Sequence, residues 1–321
     1  MGGNTTALSK DEQLKKRSQM ALLRSLLPIV GLIAVFVIFN VLTKGRMFSK
    51  FSMAVSQIYV TMIAATGVFF VMTMGGLDFS QGSILGMASI VVCMVSKKSI
   101  PLAVAAGIAT GAGIGAINGF FYVNRKIKSF IVTICTMFLF RGVIKYLTSN
   151  APVQGSAKLV MLNTDRLKII CTMIVVAIGA VVFCLTRFGI DLKAIGAGEK
   201  AAKFAGIRTD RMKFLVYVLA GALTGFAAFI NSIKVGSVTA SGGNQVETQI
   251  LIALVLGGMP ISGGAKARFS SIVVGSALYV ILSSGLNMVG LSTQAQQLIQ
   301  GVVFLVFVAV FADRESLKVI K

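Results

Sequence analysis

The chain has 321 residues, of which 56% are hydrophobic and only 13% are charged. Its 31 Lys and Arg outnumber its 10 Asp and Glu, which gives a formal net charge of +21. Such an excess would suit a nucleic-acid binder, but soluble domains carry about 25% charged residues. The composition therefore excludes a water-soluble body of this size and indicates an integral membrane protein, with lipid and not nucleic acid around it.

The residue types also exclude several kinds of chemistry. The chain contains no His, so a Ser-His-Asp triad and a His-ligated metal site are both excluded. The four cysteines lie inside apolar runs without a Cys-x-x-Cys spacing, at Cys93, Cys135, Cys171 and Cys184. We expect them to be small buried hydrophobes, and we expect neither catalytic residues nor a metal site.

Apolar segments that are suited to a bilayer core of about 30 Å follow one another along the chain. They lie at 25–43, 51–74, 83–96, 101–124, 129–147, 167–187, 213–233, 248–259, 270–290 and 293–312. The sequence therefore predicts an all-α integral membrane protein with about ten transmembrane helices. Segments 83–96 and 248–259 are short for a span of about 20 residues, which is typical of helices that break inside a transporter.

The basic residues predict the orientation of the chain. If the amino terminus is cytoplasmic, 20 of the 31 Lys and Arg fall on cytoplasmic segments and 11 on outside segments. Cytoplasmic loops of membrane proteins carry such an excess. We therefore expect a multi-pass membrane domain at 25–312 between two cytoplasmic tails, at 1–24 and 313–321.

Glycines recur at every fourth position within one predicted span. They are Gly107, Gly111, Gly115 and Gly119. This spacing places them on one face of a helix, where a neighbouring backbone can approach closely. We expect this face to serve helix packing without ligand contact.

The first of four unusual stretches joins the second and third predicted spans and runs from Gly75 to Ser83. Its glycines permit irregular backbone near membrane depth, where polar side chains are functional candidates by default. Those candidates are Asp78, Ser80, Gln81 and Ser83. One interpretation is a segment of a translocation path or gate, and the other is a cytoplasmic turn in which Asp78 caps the next helix.

The second stretch is polar but almost uncharged, and it leads into the short span at 248–259. Its candidates for a translocation path or gate are Asn244, Glu247 and Gln249. A polar entry loop of this kind suits a neutral polyhydroxy substrate or a docking protein. Alternatively, Glu247 is a first-turn carboxylate that the helix dipole favours.

The third stretch, at 257–268, contains two Gly-Gly pairs of the kind found in phosphate-binding loops. No Gly-Lys dipeptide occurs anywhere in the chain, so the P-loop pattern is absent. We therefore expect that this chain does not hydrolyse ATP by that route and has no cofactor of its own.

The fourth stretch is the longest basic segment, at about 188–212. Good helix formers between Glu199 and Lys203 predict a stub helix that Gly206 ends, with Phe204 as an apolar knob. The other interpretation is a solvated loop that is basic because it lies in the cytoplasm.

The first stretch, Gly-Gly-Leu-Asp-Phe-Ser-Gln-Gly-Ser, resembles the Gly-Gly-Ile-Asp-Leu-Ser-Val-Gly-Ser signature of bacterial ABC-importer permeases of the ribose/xylose/arabinose type. Three other features agree in order and spacing. They are Phe130-Ile131-Val132-Thr133 with Arg141-Gly142, Ala201-Ala202 with Gly206-Ile207, and Leu256-Gly257-Gly258 with Ser262-Gly263-Gly264. The resemblance extends from about residue 50 to 312.

The resemblance implies a type II ABC-importer permease-like bundle with short or broken helices, in a bacterial plasma (inner) membrane. It also implies a dimer with a second copy or a paralogue, ATP-binding cassette subunits that carry ATP and Mg²⁺, and an extracytoplasmic substrate-binding protein. The family's coupling loop maps onto Ala201, Ala202 and Gly206. We therefore assign the ATPase contact to Glu199, Lys200, Ala201, Ala202, Phe204 and Gly206, with Lys200 where the family commonly has Glu.

The function expected from this resemblance is that of a non-catalytic translocation subunit, which imports ribose or another pentose-like sugar. Alternating access would be driven through the loop at 196–211. The same architecture could instead carry nucleosides, an autoinducer sugar or branched-chain amino acids, since the Tyr-Glu-Leu-Asp of many sugar permeases is Val246-Glu247-Thr248-Gln249 here. A different class, the ion-coupled secondary transporter, would have to use Asp78 and Glu247.

Overall fold

A computed structural model describes residues 28–49 and 51–311, so the predicted tails at 1–24 and 313–321 lie outside the described residues. The described chain is mostly helical. Its helices are α1 (Pro28–Leu42), α2 (Arg46–Ser49), α3 (Phe51–Thr73), α4 (Gln81–Ser96), α5 (Ile100–Asn124), α6 (Ser129–Leu147), α7 (Ala157–Met161), α8 (Asp165–Leu185), α9 (Arg187–Ala197), α10 (Glu199–Phe204), α11 (Thr209–Val235), α12 (Val246–Leu256), α13 (Ser270–Met288) and α14 (Thr293–Phe311). Two short strands accompany them, β1 (Val153–Gln154) and β2 (Ser237–Val238).

Each of the ten predicted spans contains a helix, but the helices differ in length. Six of those in the described ranges are long and apolar enough to cross a membrane, namely α3, α5, α6, α8, α11 and α13. The other apolar helices have 10–17 residues that can be assessed in this way, namely α1, α4, α12 and the part of α14 from Thr293 to Ala309. The chain is thus a multi-pass helical membrane protein, whereas the number of ten spans and the orientation of the termini stay predictions.

Helix α11 lies in the centre of the bundle, where it packs against α3, α4 and α5. At the periphery, α6 and α8 expose large apolar side chains such as Phe138 and Met173. Such faces suit contact with lipid tails, which are as apolar as the side chains themselves. Cys135 and Cys184 lie on these two helices and are exposed, so the prediction of four buried cysteines is wrong for this pair. An apolar run does not distinguish a lipid-facing position from a core position.

The most extensive helix contact joins α5 to α11. A Cβ atom on Gly111 would overlap the carbonyl oxygen of Gly221, and one on Gly221 would overlap that of Gly111. Gly107 and Gly115 approach the backbone of α11 in the same way, at Gly225 and Tyr217 respectively. The four-residue glycine repeat therefore lies on the face that meets α11, where the two backbones touch.

A two-stranded ladder is the departure from a purely helical fold. Val153 pairs with Val238 and Gln154 with Ser237, in antiparallel register. Next to the ladder, the amide of Gly155 donates to the carbonyl of Gly236 at 2.9 Å. This ladder attaches the segment between α6 and α8 to the end of α11. Strands of two residues carry no detectable alternation, so the sequence did not predict them.

We expect Gly111→Ala to destabilise the bundle, because the added methyl group must push α11 away. Overpacking of this kind costs about 1–3 kcal/mol. The matched control is Gly113→Ala on the same helix, where an added Cβ meets no atom within 4 Å. Reversible denaturation in detergent should show a lower free energy of unfolding for Gly111→Ala only. Equal stabilities of the two variants would contradict the packing assigned to this face.

Candidate functional site

The chain leaves the helical conformation between α3 and α4 while it is still inside the protein. The amide of Leu77 donates to the Ser129 hydroxyl at 3.3 Å, and the amide of Phe79 donates to the Thr133 hydroxyl at 3.2 Å. Both hydroxyls belong to the first turns of α6. They supply hydrogen-bond partners that lipid cannot, so the non-helical backbone is tolerated at this depth.

Asp78 organises the start of α4. Its Oδ1 accepts hydrogen bonds from the Ser80 amide at 2.9 Å and the Ser80 hydroxyl at 2.6 Å. Its Oδ2 accepts one from Gln81 Nε2 at 2.6 Å. The Ser83 hydroxyl adds a local bond to the Ser80 carbonyl at 2.7 Å. The carboxylate therefore finds its hydrogen-bond donors within three residues of its own chain position.

Two further hydrogen bonds connect this turn to the neighbouring helices. Asn118 Nδ2 on α5 donates to the Ser80 hydroxyl at 2.8 Å, and the Thr224 hydroxyl on α11 donates to Gln81 Oε1. We call these five side chains the buried polar cluster: Asp78, Ser80, Gln81, Asn118 and Thr224. Each of them is at most 1% exposed. In this conformation the cluster therefore lies inside the protein, and neither an exposed turn nor an open path passes through Asp78.

The second polar stretch also enters the bundle before it becomes helical. Glu247 lies in the first turn of α12, and its side chain is only 8% exposed. Glu247 Oε1 lies 2.5 Å from Arg141 Nη2 on α6. Arg141 Nη1 donates to Asn244 Oδ1. We call these three residues the outer ion cluster: Arg141, Asn244 and Glu247. Its one guanidinium connects α6 to the turn before α12 through Asn244 and to the first turn of α12 through Glu247.

The buried polar cluster and the outer ion cluster meet at Gly82. A Cβ atom on Gly82 would overlap Glu247 Oε2 and the carbonyl oxygen of Gly243. Gly82 is therefore required because the Glu247 carboxylate occupies the volume of its missing side chain, and not only because glycine permits irregular backbone. The two polar stretches, 160 residues apart in the sequence, are in direct contact.

A cavity of about 290 Å³ borders the outer ion cluster. It lies between the second half of α6 and the turn that precedes α12. Its wall is formed by Arg141, Ile144, Lys145, Ala240, Ser241, Gly242 and Asn244. Gln249, a predicted path residue, is half-buried on the first turns of α12 and is not part of this wall.

The fourth stretch forms two helices, α9 and α10, where the sequence predicts one. Phe204 at the end of α10 is 92% exposed, whereas Ala202 is buried. Lys200 and Ala201 are exposed as well, and Glu199 makes an ion pair with Lys213 on α11. Helix α10 ends at Gly206 in a Schellman arrangement, with the Gly206 amide bonded to the Lys203 carbonyl and the next amide to that of Ala202. The stub helix therefore presents an apolar knob on an otherwise charged surface.

Glycines connect α9 to the break after α3. The Gly264 amide donates to the Thr73 carbonyl at 2.8 Å. A Cβ atom on Gly196 would overlap that same Thr73 oxygen, and one on Gly263 would overlap the carbonyl of Met72. We call Gly196, Gly263 and Gly264 the glycine junction. It places part of the third stretch between helix α9 of the fourth stretch and the turn that contains Asp78.

Sequence reasoning missed three of these residues as site residues: Asn118, Arg141 and Thr224. In the sequence, Arg141 stands out only as a basic residue and as part of a family motif. Asn118 and Thr224 carry a detectable signal, because each is a polar side chain inside an apolar span. Their common target, the turn at 78–81, could not be read from the sequence because it depends on which helices are neighbours.

The described ranges, 28–49 and 51–311, contain no group of three or more His, Cys, Asp or Glu placed to hold a metal ion. The acidic residues near the site are already engaged, Asp78 by its own turn and Glu247 by Arg141.

We expect Gly82→Ala to disrupt the contact between the two clusters, since the methyl group takes the place of Glu247 Oε2. Combining it with Glu247→Ala removes the nearest of the clashing groups, so the double variant should lose less stability than the two single losses together. Residues in contact show coupling energies of about 0.5–3 kcal/mol. Thermal denaturation of the four proteins measures this coupling, and Gly142→Ala, where an added Cβ meets no atom within 4 Å, is the control. Additive losses would rule out the contact.

The comparisons with known proteins identify a family. A family model described as the permease component of the branched-chain amino acid transport system matches residues 51–308. The ribose import permease protein of Bacillus subtilis (strain 168) is 31% identical, over 96% of this chain and 99% of the relative. That of Escherichia coli (strain K12) is 30% identical, with 89% and 92% covered.

A third relative is the galactose/methyl galactoside import permease protein of Escherichia coli (strain K12). It is 28% identical, over 79% of this chain and 83% of the relative. No solved structure matches the chain. The chain therefore belongs to this family of transport-system permease components, and its resemblance to monosaccharide ABC-importer permeases is confirmed.

Proposed function

We propose that the chain is the translocation subunit of an ATP-driven importer for a monosaccharide, with ribose or another pentose-like sugar as the first candidate. The observation that carries the proposal is the meeting of two interrupted polar segments at Gly82, inside a mostly apolar bundle. Interrupted helices of this kind are typical of transporters, which need polar groups along a path and a way to move them. The names of the relatives, which include ribose and galactose permeases, support a sugar as the solute.

The proposed partners follow from this role. ATP-binding cassette subunits would hold ATP and Mg²⁺ on the cytoplasmic side, and an extracytoplasmic binding protein would deliver the sugar. A second permease copy or a paralogue would complete the path in the bacterial inner membrane. Helix α10 is the proposed docking element for the ATPase, because Phe204 is nearly fully exposed beside Lys200 and Lys203.

A continuous series of contacts could carry motion from α10 to the polar clusters. Helix α9 packs against α10, and its Gly196 touches the backbone at Thr73. From there the chain passes through Gly75 into the turn that contains Asp78. The first turn of α4 then meets Glu247 at Gly82. We propose that ATP-driven movement of α10 shifts this turn relative to α12 and so opens and closes the path.

An ion-coupled transporter is not favoured. Such a protein binds Na⁺ or H⁺ at the membrane midplane with free carboxylates or carbonyls. Asp78 accepts three hydrogen bonds from its own turn, and Glu247 is paired with Arg141. The Asp78 carboxylate is therefore occupied by donors of its own turn, and Glu247 already has a counter-charge in Arg141 in this conformation.

The decisive experiment is uptake of radiolabelled D-ribose into proteoliposomes that contain this chain with its ATPase subunits and binding protein. We expect uptake that requires ATP and is unaffected by collapse of ion gradients. Uptake that follows a Na⁺ or H⁺ gradient and ignores ATP would contradict the proposal. D-galactose, L-arabinose, a nucleoside and leucine, tested in parallel, rank the solute classes.

We expect Phe204→Asp to weaken coupling to the ATPase while the chain still folds. Full burial of a Phe side chain contributes about 1.5–3 kcal/mol, so its loss should weaken docking about ten-fold or more. The readout is stimulation of ATP hydrolysis by sugar-loaded binding protein. Met161→Asp is the matched control, because Met161 is 79% exposed on α7, far from α10. Full stimulation in Phe204→Asp would remove α10 from the ATPase contact.

A further inference from the structure

We propose that the cavity beside the outer ion cluster is a contact site for the sugar within the permease itself, with Arg141 as its main hydrogen-bond donor. This inference rests on the proposed function, since it names where a monosaccharide touches this chain. It goes beyond that function because it makes the permease a participant in solute recognition, in addition to the binding protein.

The wall of the cavity has the chemistry that neutral hydroxyl groups need. Arg141 and Lys145 supply N–H donors, the Ser241 hydroxyl both donates and accepts, and Asn244 contributes an amide. The wall contains no carboxylate, so a cation would find no counter-charge there. It also contains no aromatic ring on which a sugar could stack, and the site is therefore weak, as a site on a transport path has to be.

Arg141 is held in position before any ligand arrives. Its guanidinium donates from Nη1 to Asn244 and from Nη2 to Glu247, which leaves one N–H on each of these two nitrogens for a ligand. Within the described residues the buried Nε–H has no hydrogen-bond partner, and an unsatisfied buried donor is costly. Glu247 lies behind Arg141 and is not part of the cavity wall, so it is a positioning residue.

The charges around the cavity favour a neutral sugar over an anionic solute. The Glu247 carboxylate neutralises Arg141 at 2.5 Å, which leaves Lys145 at the rim of the wall as the uncompensated charge. Lys145 is exposed, so water screens its charge. A neutral polyol therefore suits the inner wall better than a carboxylate of the same size.

The cavity lies between two structural elements, so a sugar bound in it would connect them. One side of the wall belongs to α6, and the other is the turn at 240–244 that leads into α12. The same turn touches the first turn of α4, because Gly243 packs against Gly82. A sugar that bridges Arg141 and Ser241 would thus hold α6 against the turn whose contact with α4 the proposed movement changes.

Cysteine protection tests the site directly. The four native cysteines are replaced by serine, and Ser241→Cys is added in the full chain, reconstituted in nanodiscs. The rate of labelling by a small water-soluble maleimide is measured with and without D-ribose. Asn150→Cys is the matched control, since it is exposed near the end of α6 that carries Lys145 and lies outside the cavity wall. We expect D-ribose to slow labelling at position 241 and to leave position 150 unchanged.

Two variants show whether Arg141 is the donor. In the Ser241→Cys background, Arg141→Gln should raise the D-ribose concentration needed for half-protection by about ten-fold, the usual effect of losing a hydrogen bond from a charged group. Lys145→Gln, at an exposed position that does not endanger folding, should raise it by less. Unaltered protection in Arg141→Gln would overturn the role of Arg141.

The anion D-ribonate and the uptake assay complete the test. Protection by D-ribonate as strong as that by D-ribose would overturn the sugar site in favour of an anion site. ATP-driven uptake of D-ribose by wild type without any protection at position 241 would overturn the inference and leave the proposed function standing. Absence of ATP-driven sugar uptake by the complete transporter would overturn the proposed function itself.

Discussion

The backbone of a membrane protein must satisfy its hydrogen bonds internally, because lipid offers no partners, and this constraint governs the structure. The described chain interrupts its helices twice inside the bundle, before α4 and before α12. At the first interruption the hydroxyls of Ser129 and Thr133 accept backbone amides. At the second, Arg141 binds the turn through Asn244 and Glu247. Both interruptions therefore depend on α6, an otherwise peripheral helix.

Close contact between backbones is the second condition for this arrangement. The polar turns fit only because α5 and α11 touch through their glycines, which brings Asn118 and Thr224 within reach of residues 80 and 81. The absence of a side chain also permits close contact at Gly82, where the Glu247 carboxylate occupies the position of a Cβ atom. The same holds at Gly196, which lies against the Thr73 carbonyl. Glycine in this bundle thus marks the places where one segment meets another.

The sequence predicted the helical class and the position of each apolar segment, because hydropathy over about 20 residues is a local property. It also predicted the stub helix at Glu199–Phe204, whose end at Gly206 follows from local backbone geometry. It did not predict that Arg141 pairs with Glu247, since 106 residues separate them and only the packing of α6 against the turn before α12 brings them together. The sequence also did not predict the exposure of Cys135 and Cys184, because lipid-facing and protein-facing positions have the same composition.

The local hydrogen bonding of Asp78 has a consequence for the energy barrier of a conformational change in the bundle. All three hydrogen bonds to its carboxyl group come from Ser80 and Gln81, so this group and its hydrogen-bond donors move with the amino end of α4 as one body. Displacing that body keeps the hydrogen bonds of the Asp78 carboxyl group intact, whereas the bonds of the turn to Ser129, Thr133, Asn118 and Thr224 have to change. The loss of the hydrogen bonds to the Asp78 carboxyl group is thereby removed from the energy barrier of the motion.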